Sequence, residues 1–184
     1  MRPLGKAYKD AEASGGDFKR LPAGGYIAKI TAVEDKDDKE YLNITFDIAE
    51  GEFKAFYSDE WGKAHPYAHS FVRSYKEKAL GMFKGFLRAV DESNNTKFES
   101  RAEKGFPENE LVGKLVGVII GYEEYRTNRG DIGQRTRVAS TRSLDAIRSG
   151  NFTVPELKKL GEDTPRNGSP VPGFEQVNEE DLPF

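Results

Sequence analysis

Residues 41–49 alternate between apolar and polar side chains, and this alternation constrains the fold more than any other feature of the chain. The even positions hold Leu42, Ile44, Phe46 and Ile48, whereas the odd positions are mostly polar. A period of two is that of a β-strand, whose successive side chains point to opposite faces. Because one set alone is apolar, the sequence predicts a sheet with one buried face and one hydrated face.

Four further strands are predicted around this one, at residues 26–33, 53–61, 115–125 and 134–140. A tight turn at Glu50 and Gly51 is expected to join the second strand to the third, and residues 127–131 have turn composition. A helix is predicted to begin at Pro66 and to carry an apolar stripe as far as Val90. The charged residues 35–40 are typical of a solvated loop, and short helices are expected at 144–148 and 155–160.

The order strand, strand, strand, helix, strand, strand predicts a mainly β fold. We expect an OB-fold-like five-stranded barrel with one α-helix between strands 3 and 4. A different half-open β-barrel with the same number of strands is the alternative. Residues 1–22 are predicted to be a flexible N-terminal segment, and residues 23–160 the OB-like domain. Residues 161–184 are rich in Pro, Gly, Asn and Glu, which is typical of a disordered acidic tail.

Charge is unevenly distributed along the chain, whose net charge is -3. Residues 161–184 hold six acids and one arginine, so the remainder of the chain is mildly basic. A basic body with an acidic tail is typical of a nucleic-acid binder that carries its own anionic competitor. The chain has no cysteine, and neither a membrane span nor a secretory signal is expected, which favours a cytoplasmic location.

Cations and aromatic rings cluster around the predicted turn at 127–131. The cluster comprises Arg126, Arg129, Arg135, Arg137, Tyr122 and Tyr125. Single-stranded nucleic acid needs cations along its phosphates and flat rings on which its bases stack. This hairpin is therefore a predicted DNA-binding element, with an ordinary solvated hairpin as the alternative.

A second predicted binding surface lies on the outward side of strands two and three. If Glu50 and Gly51 form the turn, the side chains of Tyr41, Lys54 and Phe56 share the hydrated face, and Trp61 lies at the end of the third strand. Exposed rings beside a lysine suit base stacking. Packing of these rings into the core is the alternative, because a register shift of one residue exchanges the two faces.

The C-terminal residues combine negative charge with an apolar end. They are Glu179, Glu180, Asp181, Leu182, Pro183 and Phe184. Phe184 is expected to fill an apolar pocket on a partner protein, while its carboxylate and the preceding acids meet basic residues around that pocket. A solvated tail without a partner is the alternative.

This C-terminal tip resembles that of bacterial single-stranded DNA-binding proteins, which ends in three aspartates followed by Ile-Pro-Phe; Leu182 replaces the isoleucine here. The segments at 21–26, 113–115 and 150–155 resemble phage-encoded single-stranded DNA-binding proteins from replication and recombination cassettes. The resemblance implies an OB barrel that protects DNA strands in the host cytoplasm. It also implies recruitment of a helicase, recombinase, polymerase or primase through the tip. Homo-oligomers are compatible with it, but without a long Gly/Gln-rich linker the bacterial tetramer is not carried over.

Two other classes of function are weighed against DNA binding. One is a protein–protein adaptor, in which the barrel binds protein and the tail is a second docking site. The other is a metal-dependent nuclease that would use the acids at 35–38 or the histidines His65 and His69, near Asp59 and Glu60. The spacings of these groups match no metal motif, so the sequence predicts a protein that is not an enzyme and needs no cofactor.

Overall fold

Five strands form one antiparallel sheet in residues 20–161, the part of the chain that the computed structural model describes. The strands are β1 (Gly24–Lys36), β2 (Tyr41–Ile48), β3 (Ser70–Ser74), β4 (Leu115–Arg126) and β5 (Ile132–Arg142). The α-helices are α1 (Glu60–Ala64), α2 (Leu80–Asn94), α3 (Phe98–Arg101) and α4 (Leu144–Arg148). Short 3-10 helices are Asp37–Lys39, Pro66–His69, Glu77–Ala79, Ala102–Lys104 and Glu108–Leu111. The predicted mainly β fold, with a helix between the third and fourth strands, is confirmed.

The strands are hydrogen-bonded in the order β3-β2-β1-β4-β5. The fourth strand returns beside the first, which is the Greek-key arrangement. A bulge at Ile30/Ala32 in β1 and a bulge in β5 opposite Ile119/Ile120 of β4 interrupt the pairing, and bulges of this kind bend strands and increase their twist. The edge strands β3 and β5 contact each other, but no ladder joins them within residues 20–161, so the sheet is not closed.

The alternation in β2 places its apolar side chains in the core, as predicted. Leu42, Ile44, Phe46 and Ile48 are all buried, whereas the residues between them are half-exposed. Helix α2 packs its inner face against the same core through buried side chains, which are Phe86, Leu87, Ala89 and Val90. Leu21, which the sequence assigned to the flexible segment 1–22, is also fully buried in this core.

The prediction of a third strand at residues 53–61 is wrong. Residues 51–57 form turns, in which Gly51 has φ +88° and Ala55 has φ +59°. The Asp47 carboxylate holds these turns, because it accepts hydrogen bonds from the Tyr57 amide at 2.9 Å and from the Ser58 hydroxyl. Glu50 and Gly51 therefore do not form the hairpin that we expected, and Lys54 and Phe56 do not lie on a strand.

The prediction of a helix from Pro66 to Val90 is also wrong for the first half of that segment. Pro66 starts a 3-10 helix that ends at His69, and the next five residues are β3. Phe71 is buried opposite Ile44 on β2, while Val72 is exposed. Successive side chains therefore alternate between buried and exposed, as in a strand, instead of following the helical repeat. Only the second half of the predicted segment is helical, as part of α2.

The second half of the chain agrees more closely with the sequence. Strands β4 and β5 are both present, and Gly130, at φ +90°, lies in the turn that joins them. Helix α4 has the predicted bounds. The helix predicted at 155–160 is wrong, because the Lys158 main chain instead hydrogen-bonds to Tyr122 and Glu124 at an edge of β4. The prediction of a loop at residues 35–40 is partly wrong, because β1 continues to Lys36 and a 3-10 helix follows it.

Candidate nucleic-acid interface

A cleft of about 640 Å³ lies where the two edge strands approach each other. Strand β3 and the residues before it line one side, and the β4–β5 hairpin lines the other. The charged residues among its lining are Arg20, Arg73, Arg135, Arg137 and Glu123. The aromatic residues are Tyr57, Trp61, Tyr67, Phe71 and Tyr125. The cleft is therefore cationic and rich in flat rings.

The aromatic side of the cleft is a chain of ring contacts in residues 57–69. Tyr57 stacks on His69 with their ring centroids 4.6 Å apart and an interplanar angle of 11°. Trp61 stacks on His65 at 4.7 Å and 19°. Tyr67 meets His65 edge-on at 5.6 Å and is 73% exposed. Of these rings Tyr67 is the exposed one, whereas Tyr57 is only 4% exposed, and contacts of this kind leave the rings little rotamer freedom to lose on binding.

Main-chain hydrogen bonds hold this aromatic side in place. The His69 ring lies between the Phe46 carbonyl oxygen and the Gly62 carbonyl oxygen, the latter 3.1 Å from Nε2. The Asp59 carboxylate caps α1 by accepting from the Gly62 amide at 2.9 Å. Burial, followed by the charge of Asp47, raises the pKa of the Tyr57 hydroxyl. The aromatic side is thus built on the core rather than on a free loop.

The opposite side of the cleft belongs to the β4–β5 hairpin. The Arg135 guanidinium lies over the Tyr125 ring, 5.3 Å from its centroid, and its Nε is 2.7 Å from the Glu123 carboxylate. The Arg137 Nε is buried and has no hydrogen-bond partner within residues 20–161. A buried donor without a partner is rare in native proteins. Arg137 lines the cleft and has no ion pair within residues 20–161, whereas Arg135 would have to leave Glu123 to meet an anionic ligand.

A further arginine approaches the cleft from β3. Arg73 is 5% exposed, and its guanidinium lies 4.6 Å from the centroid of the Phe71 ring. It is paired with Leu42 in the ladder between β2 and β3, so it projects from the side of the strand that faces the core. Arg20 completes the cationic set and donates a hydrogen bond to the Gln134 carbonyl oxygen.

Four of the predicted DNA-binding residues come together in this cleft. They are Trp61, Tyr125, Arg135 and Arg137. Sequence reasoning missed Tyr67, Arg73 and Arg20, which also line it. The segment containing Tyr67 and Arg73 was assigned to a helix, so these side chains were not placed next to the hairpin.

The other predicted residues do not line the cleft. Arg126 donates to the Gly130 carbonyl oxygen at 3.2 Å, and Arg129 is exposed in the hairpin turn. Tyr122 has a structural role, since its hydroxyl donates to the Leu21 carbonyl oxygen at 2.8 Å. Tyr41 and Lys54 also lie outside the cleft lining.

Phe56, the remaining stacking candidate, packs against the hydrophobic core and meets the Tyr57 ring edge-on at 4.9 Å. Its ring is therefore a structural contact. The tip residues 179–184 lie outside the described residues.

The two histidines considered as metal ligands have other contacts. The Nδ1 of His65 lies 2.7 Å from the Trp61 carbonyl oxygen, and both nitrogens of His69 face carbonyl oxygens. Asp35 accepts a hydrogen bond from the Tyr75 hydroxyl at 2.8 Å. No group of three or more His, Asp or Glu side chains with metal-binding geometry occurs in the described part of the chain.

No family model matches the chain, and no curated protein matches it. Within residues 20–161, no helix is long and apolar enough to cross a membrane.

Proposed function

We propose that this protein is a non-enzymatic single-stranded DNA-binding protein whose DNA site is the cleft between β3 and β5. The observation that carries the proposal is the convergence of Trp61, Tyr67 and Tyr125 with the arginines 73, 135 and 137 in one groove. Nonspecific binding of single strands requires both components, because cations contact the phosphates and aromatic rings stack on the bases. A larger cavity beside α2 also contains aromatic rings, but its acidic residues outnumber its lysines by six to two.

The strand order supports an OB-type barrel. An OB-fold is a partly open Greek-key barrel of five strands that binds oligonucleotides with the face of strands 2 and 3 and the loops between strands 1 and 2 and strands 4 and 5. Here the cleft uses Asn43 of β2, several residues of β3 and the β4–β5 hairpin. The segment between β1 and β2 does not line the cleft, so the proposed DNA path crosses only part of the usual OB surface.

Preference for single strands follows from the cleft's rings. A ring can stack on a base only when that base is free of its neighbours in a duplex, and every base has a face on which a ring can stack. The proposed binding is therefore selective for single strands but tolerant of base sequence. The resemblance to phage-encoded proteins supports a role in DNA replication or recombination.

The proposal is tested by titrating the full chain into fluorescent oligo-dT, with duplex DNA and RNA as competitors. Oligo-dT is expected to bind more tightly than duplex of equal length. Affinity should fall with salt, with a log–log slope of about −0.7 for each phosphate contacted. Equal affinity for duplex and single strand at moderate salt would contradict the proposal.

Arg137→Ala is expected to weaken oligo-dT binding more than Arg129→Ala does. Arg137 lines the cleft, whereas Arg129 lies exposed in the hairpin turn outside it. Loss of one phosphate contact should make the salt slope shallower by about 0.7. The measurement is fluorescence anisotropy across a salt series. Arg129→Ala is the matched control, and an equal loss in both variants would indicate long-range electrostatics rather than a defined contact.

The C-terminal tip is proposed to recruit a replication or recombination protein. Deleting residues 179–184 is expected to leave oligo-dT affinity unchanged or slightly raised, because three acids cannot hold phosphates and compete with them at low salt. The same deletion should abolish partner binding in a pull-down, and Phe184→Ala should reproduce much of that loss. A deletion that loses DNA binding but retains its partners would reverse these roles.

A further inference from the structure

A second cavity, of about 940 Å³, lies beside the first half of α2. We call it the α2 groove. Its apolar lining consists of Leu42, Tyr75, Leu80, Phe83, Leu87, Ala102 and Phe106. Leu80 is 47% exposed, although the inner face of α2 is buried. Leu80 therefore adds exposed apolar surface to the edge of the groove.

The rim of the α2 groove is acidic. Its charged residues are Asp35, Asp37, Asp91, Glu99, Glu103 and Glu108 against Lys84 and Lys97. Glu99 receives hydrogen bonds from Arg88, which lower its pKa, and Asp91 accepts from the amides of Phe98 and Glu99. Within residues 20–161, Glu103 and Glu108 have neither an ion pair nor a side-chain hydrogen bond. These two carboxylates are therefore available to a cation.

We propose that the α2 groove docks a Lys/Arg-rich amphipathic helix of a partner protein. The apolar lining would receive the apolar stripe of such a helix, which is the usual mode of helix-in-groove recognition. The acidic rim complements basic side chains flanking that stripe and repels acidic segments. This charge also distinguishes the groove from the cationic cleft, which would reject the same helix.

The α2 groove and the cleft are separate surfaces. They share no lining residue. Leu42 and Asn43 are neighbours on β2, but Leu42 lines the groove and Asn43 lines the cleft, since successive strand residues point to opposite faces. A partner helix and a DNA strand can therefore occupy the protein together. The groove proposal does not depend on the DNA proposal.

The test uses a fluorescent synthetic helix of about five turns, with Leu at positions i, i+3, i+4 and i+7 and Lys at the remaining positions. Its anisotropy is titrated with the full chain in the absence of DNA. The comparison peptide has Glu in place of Lys. We expect the Lys peptide to bind in a salt-sensitive manner and the Glu peptide to bind at least about tenfold more weakly.

Variants of residues that line the α2 groove locate the binding site. Leu80→Lys and the double variant Glu103→Lys/Glu108→Lys should each weaken binding of the Lys peptide by about tenfold or more. The matched controls are Val112→Lys, an exposed apolar residue outside the groove, and Glu156→Lys, an exposed acid outside it. Neither control should change the affinity by more than about twofold.

Three results would overturn the proposal. The first is failure of the Lys peptide to bind the full chain. The second is an equal loss of affinity in the groove variants and their controls. The third is sedimentation showing that the chain self-associates and that Leu80→Lys abolishes this, which would make a second copy the occupant. Adding saturating oligo-dT should leave peptide affinity unchanged, and this arm separates failure of the groove proposal from failure of the DNA proposal.

Discussion

Replacing both Trp61 and Tyr67 with alanine is expected to cause the largest loss of oligo-dT affinity of any change in the cleft. Each aromatic ring that stacks on a base contributes about 1–3 kcal/mol, which corresponds to roughly 5- to 150-fold in affinity for each ring. Tyr67 is 73% exposed, so its loss should leave the fold intact. Trp61 stacks on His65, so its replacement should also release that ring.

The measurement is an anisotropy titration of the two single variants, the double variant and the parent. Because both rings contact His65, their effects are expected to be non-additive, and the four proteins together form a double-mutant cycle. Tyr41→Ala is the control, since Tyr41 lies on the half-exposed face of β2 but not in the cleft. If Tyr41→Ala lowers affinity while Tyr67→Ala does not, the DNA lies across β2 instead of in the cleft.

Gly62→Ala is expected to cause the largest loss of stability of any alanine substitution near the cleft. A Cβ atom at Gly62 would lie 2.0 Å from the Tyr57 carbonyl oxygen and 2.5 Å from its carbon. These are main-chain atoms, so the turn and α1 must move apart. Overpacking of this kind costs about 1–3 kcal/mol and sometimes more, and we expect about 3 kcal/mol here. Thermal unfolding should detect a Tm lower by about 10 °C.

The movement of α1 that Gly62→Ala requires should also affect the cleft. The Gly62 carbonyl oxygen faces His69 Nε2, and His69 stacks on Tyr57, so moving α1 disturbs the aromatic side. Gly85→Ala is the matched control, because a Cβ at Gly85 on α2 would meet nothing within 4 Å. Alanine there should raise stability by about 0.5–1 kcal/mol. An unchanged Tm for Gly62→Ala would show that the 57–62 turn has room that the structure does not indicate.

Those parts of the fold that depend on local chemistry were predictable from the sequence. The alternation in β2 required one buried and one hydrated face, and both are present. The turn between β4 and β5 contains Gly130 at positive φ, where glycine is favoured. Helix α4 begins after Ser143, whose hydroxyl accepts from the Ala146 amide, and ends before Gly150. Each of these elements is specified by contacts within a few residues.

The third strand was not predictable in this way. Residues 53–61 are rich in aromatic side chains and have strand-like composition, yet they form turns and α1 because Asp47, ten residues earlier than Tyr57, binds their main chain. Residues 70–74 fitted a helical stripe but pair with β2 instead. A short segment of mixed apolar and polar residues is compatible with both the helical repeat and the two-residue repeat of a strand. Pairing with a neighbouring strand then decides which structure forms.

By itself, the sequence determined the kinds of groups available for binding: arginines beside aromatic rings at the β4–β5 hairpin, and alternating faces on β2. Only the tertiary structure decided which of these groups meet. The approach of β3 to β5 brought Tyr67, Arg73 and Arg137 into the lining of one cleft and left Arg129, Lys54 and Tyr41 outside. The physical reason is that two edge strands far apart in the chain are positioned by the pairing of the three strands between them, and that pairing is long-range.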